Sequence, residues 1–144
     1  MNLLIISQHF WPESFIINNL SEEIVKKKIR VHVITGKPNY LSGSIKKNFK
    51  PFAISESNYK GIKIIRLPII SRGNKSALRL VLNYLSFIIS GILFSNLKTK
   101  NKKIDYIFVY ATSPLLQALI GVYLKFKIKK KLIIWVQDLW PEVL

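Results

Sequence analysis

Two short segments of the chain combine polar side chains that could do chemistry with the tripeptide Trp-Pro-Glu. The first, residues 8–13, is QHFWPE, and the second, residues 137–142, is QDLWPE. In the first, His9 could donate a hydrogen bond or act as a base, Trp11 could stack on a sugar ring, and Glu13 could accept a hydrogen bond from a hydroxyl group. Structural roles are equally open, because a histidine can simply pack, a tryptophan can cover the core, and an acid can complement a helix dipole.

The second segment places an amide and a carboxylate, Gln137 and Asp138, directly after an apolar run. Both side chains could hydrogen-bond to substrate hydroxyls, and we take them as the candidate catalytic residues. The alternative is that Asp138 forms a turn and caps the segment after it. A single carboxylate lacks the second acid of a glycoside hydrolase pair, so hydrolysis is not indicated.

The elements that must position these segments are short apolar strands. Residues 3–7 and 132–136 are continuous Ile- and Leu-rich runs, which are typical of strands covered on both faces of a parallel sheet. Ligands of open α/β sheets bind beyond the carboxyl ends of the strands. We therefore expect both Trp-Pro-Glu segments to lie at one rim of a sheet, where proline interrupts no ladder.

The full pattern alternates strands with helices. It predicts five parallel strands, at residues 3–7, 30–35, 62–67, 106–110 and 132–136. It predicts helices at residues 14–28, 76–97 and 115–127, the first capped by Ser14 and the third preceded by hydroxyl caps at Thr112 and Ser113. Residues 37–60 are expected to form a long loop with at most one short strand. The sequence predicts a doubly wound α/β sandwich in a single domain, residues 1–144.

The composition limits the possible partners. The chain has 23 Lys and Arg against 7 Asp and Glu, a net charge of +16, which favours an anionic partner such as a membrane surface. No nucleic-acid-binding motif is present, so nucleic acid is the weaker alternative. The chain has no cysteine and two histidines, which argues against disulfides and metal sites and favours a cytoplasmic setting. The start of the chain does not resemble a secretion signal, and no cofactor is expected.

The predicted helix at residues 76–97 is long and apolar enough to raise the question of a membrane. Its residues 80–97 approach the length of a membrane span, but Asn83, Ser86 and Ser90 recur at helical spacing and form a narrow polar stripe. The stripe favours a helix that is mostly buried or lies against lipid over one that crosses it. Lysine and arginine clusters on either side of the helix suit the cytoplasmic leaflet.

Four segments in order resemble one enzyme family. These segments are residues 4–13 (LIISQHFWPE), 33–40 (VITGKPNY), 76–87 (SALRLVLNYLSF) and 135–142 (WVQDLWPE). They are similar to the N-terminal domain of glycosyltransferase family 4 enzymes, and most closely to the branch with N-acetyl-L-fucosamine transferases of bacterial O-antigen and capsule synthesis. The resemblance implies a GT-B architecture of two Rossmann-like domains, in which the N-terminal one holds the acceptor. It also implies a retaining, metal-independent transfer from a nucleotide-sugar.

The resemblance also implies roles for particular positions. The acceptor, expected to be a polyprenyl-diphosphate-linked saccharide, would contact side chains near the strand ends, namely His9, Trp11, Glu13, Asn39, Tyr40 and Ser113. Gln137 stands where many relatives have histidine, and Ser14 with Phe15 replaces a Gly-Gly turn. We expect the donor-binding domain to be absent from the chain and to be supplied, if at all, by a separate subunit. The resemblance further implies a peripheral position at the inner face of the plasma membrane. The alternative function is a non-catalytic membrane-binding or scaffolding module.

Overall fold

A computed structural model describes residues 1–74 and 76–137. The strands are β1 Asn2–Ile6, β2 Arg30–Thr35, β3 Ser55–Tyr59, β4 Ile62–Arg66, β5 Tyr106–Ala111 and β6 Lys131–Val136. The helices are α1 Ile16–Lys26, α2 Ala77–Thr99 and α3 Ala118–Ile128, the last preceded by a 3₁₀ turn at Leu115–Gln117.

The strands form one sheet in the order β3-β4-β2-β1-β5-β6. The five predicted strands are all present and run parallel, with Ile5 at the centre between Val33 and Phe108. The sixth strand, β3, pairs antiparallel with β4 inside the segment that was predicted as a loop with at most one short strand. The predicted α/β class with a mainly parallel sheet is therefore confirmed.

The sheet separates two cores because successive side chains of a strand point to opposite faces. Leu3, Ile5 and Val33 pack with Ile17 of α1 on one face. Leu4, Ile6 and Ile34 pack on the other face, together with α2 and α3 residues such as Phe87, Ile120 and Leu124. Helices thus cover both faces of the sheet, and the carboxyl ends of β1, β2, β4 and β5 share one rim.

Helix α2 turns its polar stripe toward the protein and much of its apolar surface outward. Asn83 and Ser90 are buried, whereas Leu85, Ile89 and Leu93 are exposed. The inward stripe has a physical cause in residues 67–70, which follow β4 as irregular backbone beside α2. The carbonyl of Pro68 and both backbone groups of Ile70 need hydrogen-bond partners, and polar side chains of α2 supply them.

Two of the predicted helix caps are wrong. Helix α1 begins after an extended Phe15, without a side-chain cap, and Ser14 is exposed. The 3₁₀ turn before α3 begins after Pro114 and also has no side-chain cap; instead the Gln117 amide donates to the Thr112 hydroxyl, 3.2 Å away. In both places the chain stays extended for longer than the cap pattern suggests, and this brings Phe15 and Thr112 to the rim.

Candidate functional site

A cavity of about 220 Å³ opens at the carboxyl rim of the sheet. Its described lining comes from five separate parts of the chain: His9, Phe15, Tyr40, Arg72, Tyr84, Thr112 and Ser113. His9 follows β1, Tyr40 follows β2, and Thr112 and Ser113 follow β5, so strand ends supply most of the wall. Three residues proposed from the sequence, His9, Tyr40 and Ser113, meet here.

One wall of the cavity is aromatic. The rings of His9 and Phe15 stack with centroids 5.3 Å apart and an angle of 12° between their planes. Tyr40 meets both rings edge-on, at 4.8 Å from His9 and 5.1 Å from Phe15. The flat ring faces of such a cluster can pack against the apolar face of a sugar ring, and its nitrogen and hydroxyl groups can hydrogen-bond to the hydroxyls at the edge of the sugar.

The cavity lining also carries a cation and hydroxyl groups. The Arg72 guanidinium lies 4.6 Å from the centroid of the Tyr40 ring. Burial raises the pKa of Tyr84, which keeps its phenol protonated as a hydrogen-bond donor at neutral pH. Arg72 together with the hydroxyls of Tyr84 and Thr112 can bind a phosphate or other anionic group. The sequence analysis did not identify Arg72 or Tyr84 as residues that would bind an anionic group in this cavity.

Glu13 lies beneath the aromatic wall and joins two of its members. One carboxylate oxygen accepts a hydrogen bond from the backbone N–H of Tyr40, and the other lies 3.5 Å from Nδ1 of His9. His9 and Glu13 are both 5% exposed. The interpretation of Glu13 as a charge in the first helical turn is wrong, because α1 begins only at Ile16. Glu13 instead holds Tyr40, and its other oxygen lies beside His9 Nδ1 without a hydrogen bond to it.

Asn39 and Asn83 form a buried hub under the cavity. Asn83 accepts a hydrogen bond from the Gln8 side chain (2.7 Å) and donates to the carbonyl of Ile70 (2.6 Å) and to Asn39 Oδ1 (3.3 Å). The same oxygen of Asn39 accepts from the backbone N–H of Arg72 at 2.9 Å. Asn39 is 1% exposed, so its side chain positions the wall and does not line it.

Trp11 and Gln137 are not among the described residues that line the cavity. Trp11 stacks on Tyr59 of β3, with centroids 4.6 Å apart and an interplanar angle of 19°. Gln137 accepts a hydrogen bond from the hydroxyl of Tyr110, at 3.3 Å. Asp138 and the second Trp-Pro-Glu segment lie outside the described residues.

A pair of buried cations supports the rim near Trp11. Lys37 and Arg66 are each 1% exposed. Within the described residues neither forms a salt bridge to a carboxylate; Lys37 donates to the Ser55 hydroxyl (2.7 Å) and Arg66 to the Trp11 carbonyl (2.8 Å). Burial, with a smaller contribution from the charge of Arg66, lowers the pKa of Lys37 to about 8. No pattern in the sequence predicted this pair.

An apolar groove of about 360 Å³ adjoins the polar cavity. Both share Ser113, and the groove continues along Pro114, Leu116, Leu119 and Val122 at the start of α3. A polar cavity that leads into an apolar groove suits a ligand with a polar head and an apolar tail.

No cluster of three or more His, Asp and Glu side chains suitable for a metal ion occurs in residues 1–74 and 76–137. The polar side chains that line the cavity carry hydroxyls, the imidazole of His9 and the guanidinium of Arg72, which can bind hydroxyl and phosphate groups. No protein-family model matches the chain, and no curated protein matches it at a significant level.

Proposed function

We propose that the chain is the acceptor-binding half of a retaining sugar transferase. It would bind a polyprenyl-diphosphate-linked saccharide that receives a glycosyl group from a nucleotide-sugar in bacterial surface polysaccharide synthesis. In this proposal the α/β sheet is a Rossmann-like, doubly wound domain that forms the N-terminal half of a GT-B architecture.

The observation that carries the proposal is the convergence of His9, Tyr40, Arg72 and Tyr84 on one cavity at the carboxyl rim. Rims of this kind are the usual ligand sites of open α/β sheets. The aromatic wall suits a sugar ring, and the Arg72 guanidinium suits the diphosphate. The adjoining apolar groove, which Ser113 connects to the cavity, suits the first isoprene units of the lipid.

Each side chain has a definite task in this proposal. Arg72 fixes the diphosphate, the rings of Phe15 and Tyr40 orient the sugar, and His9 accepts a hydrogen bond from the acceptor hydroxyl that attacks the anomeric carbon. The stacking of Phe15 on His9 keeps the His9 ring in place. The nucleotide-sugar would be held by a donor-binding domain or subunit, and Gln137 and Asp138 remain the candidate catalytic residues of the proposal.

Isothermal titration calorimetry with a short-chain, water-soluble prenyl-diphosphate saccharide tests the proposal. We expect Arg72→Gln to weaken binding about 10- to 100-fold, since hydrogen bonds to charged groups contribute about 1.5–3 kcal/mol each. Arg30→Gln is the matched control, because Arg30 is exposed at the amino end of β2, on the opposite rim. If Arg72→Gln and the wild type bind with equal affinity, the cavity is not the acceptor site.

A second candidate is a non-catalytic membrane-binding or scaffolding module, which the exposed apolar side of α2 favours. Sugar transfer separates the two functions. The chain is mixed with a donor-binding domain of a family 4 enzyme, a nucleotide-sugar and the prenyl-diphosphate saccharide. Transfer that requires the chain and that decreases in His9→Ala supports the enzyme; membrane binding without transfer supports the module.

A further inference from the structure

A second polar cavity, of about 550 Å³, opens at the amino rim of the sheet, where the parallel strands begin. Its walls come from the first residues of β2 and β4 and from the segment between α2 and β5. The described lining contains no Asp or Glu. Its basic residues are Arg30, Lys63, Lys102 and Lys103. The cavity is therefore a candidate site for an anion.

The positive charge of these four residues is not neutralised by ion pairs. In the part of the chain that the structure describes, none of them forms a salt bridge. Two acids lie near them but have other partners. Glu56 pairs with Lys98 at 3.0 Å, and Asp105 accepts a hydrogen bond from the backbone N–H of Asn2 at 2.7 Å. The charge at the cavity thus remains available to a ligand.

His32 adds a buried imidazole to the same cavity. Side chains alternate along β2, so Val31 and Val33 pack in the core beside α1, and His32 lies on the opposite face of the sheet. His32 lines the cavity and is only 8% exposed, and its Nδ1 is buried without a hydrogen-bond partner among the described residues. Because buried polar groups are nearly always hydrogen-bonded, an unpaired imidazole at a charged cavity points to a ligand.

The electrostatic potential at His32 is positive. Lys63 lies directly opposite His32 in the pairing of β4 with β2. Burial, and after it the charges of Lys102, Lys63 and Arg30, lower the pKa of His32, so the ring is neutral at pH 7. An anion in the cavity opposes these charges and favours a proton on the ring, and by linkage the protonated ring strengthens binding of the anion.

The chemistry of the lining favours phosphate as the anion. Lysine ammonium groups bind phosphate oxygens as point charges, and four basic residues can balance more than one phosphate group. The described lining contains no Phe, Tyr or Trp, so it offers no aromatic face on which a nucleobase could stack. A small ligand whose polar groups are phosphates therefore fits the cavity better than a nucleotide does.

We propose that this cavity binds a compact, soluble ligand with a terminal phosphate and at least one further phosphate group. Lys63, Lys102 and Lys103 contact the phosphate oxygens, and His32 takes up a proton when the ligand binds. The site is independent of the proposed acceptor site. The diphosphate of a prenyl-diphosphate saccharide is substituted at both ends and so has no terminal phosphate to offer.

Isothermal titration calorimetry with pyrophosphate at constant ionic strength tests the lysines. We expect the double variant Lys63→Gln, Lys103→Gln to bind about 10- to 100-fold more weakly, because it removes two charged donors. Both side chains are exposed, so the fold should not change. The matched control is Lys46→Gln, Lys47→Gln, which lowers the net charge equally on an exposed segment between β2 and β3 and should bind like the wild type. An equal loss in both double variants would show unspecific attraction and overturn the proposal.

Nuclear magnetic resonance of the two histidine rings tests the role of His32. Bound pyrophosphate should raise the pKa of His32 and leave the ring signals of His9, at the opposite rim, in place. His32→Leu should fold, because the ring has no hydrogen bond to lose, and should bind pyrophosphate at least about fivefold more weakly. If pyrophosphate does not bind the wild type, or shifts the His9 signals and not those of His32, the proposal is wrong.

Discussion

Replacing Asn83 by leucine should loosen the cavity without touching any residue that lines it. Asn83 is fully buried and joins three segments of the rim, through the Gln8 side chain, the Ile70 carbonyl and Asn39. Leucine is similar in size but has no polar atom. The variant therefore removes the hydrogen bonds and keeps the volume of the side chain.

The magnitude follows from the groups left without partners. Gln8 Nε2 and the Ile70 carbonyl each lose a short hydrogen bond, at 2.7 and 2.6 Å, whereas Asn39 Oδ1 retains the N–H of Arg72. A buried unsatisfied group costs about 1–3 kcal/mol, and the more apolar leucine offsets roughly 1 kcal/mol. We expect a net loss of about 3 kcal/mol, a large part of the 5–15 kcal/mol typical of a domain.

Urea unfolding measures this loss, and calorimetry with the prenyl-diphosphate saccharide measures its effect on the cavity. Asn96→Leu is the matched control, because Asn96 is half-buried near the other end of α2; it should change the free energy of unfolding by less than about 1 kcal/mol. If Asn83→Leu unfolds at the same urea concentration as the wild type and binds equally well, the hub does not position the rim.

Three further predictions concern the buried charges and the packing. The pKa of Lys37 is about 8 in the folded chain against 10.5 for an ordinary lysine. Between pH 8 and 10 the unfolded chain therefore binds more protons than the folded chain, and the free energy of unfolding should rise by about 2 kcal/mol over that range. Urea titrations should show this rise in the wild type but not in Lys37→Met. Gly91→Val should destabilise the fold by about 1–3 kcal/mol in thermal melts, because even a Cβ at this position would lie 2.3 Å from Cδ1 of Ile120. Glu13→Ala should speed amide hydrogen exchange of Tyr40 at least 10-fold, since it removes the acceptor of that N–H, whereas Glu13→Gln keeps the acceptor and should leave exchange nearly unchanged.

The parallel strands were predictable because each contains a short apolar run. Strand β1 is buried on both faces as expected, but the same expectation for residues 132–136 is wrong, because β6 lies at the sheet edge with Ile133 and Ile134 exposed. Strand β3 was allowed for as one short strand within residues 37–60, but its position was not predicted, since its sequence, SESNY, has no apolar pattern. It forms at the sheet edge through backbone pairing with β4 and through the contact of Ser55 with the buried Lys37. Neither interaction leaves a periodic signal in the chain.

The site was predictable only where its residues follow strands. His9 was found because it follows a predicted parallel strand, whereas Tyr40 and Ser113 were named through the family resemblance and follow β2 and β5 in the structure. Arg72 and Tyr84 belong to the segment before α2 and to α2 itself, and their position depends on how α2 is rotated. Hydrophobic periodicity would turn the apolar side of α2 inward, but the backbone groups of Pro68 and Ile70 take their hydrogen bonds from its polar side.

Photo-crosslinking tests the central claim most directly. A short-chain prenyl-diphosphate saccharide with a diazirine on its sugar is bound, irradiated and located by peptide mass spectrometry. The account predicts labels on the peptides with His9, Tyr40 and Tyr84, and loss of those labels in Arg72→Gln. Labels confined to the basic cavity of about 550 Å³ at the opposite rim, which Arg30 and Lys63 line, would contradict it.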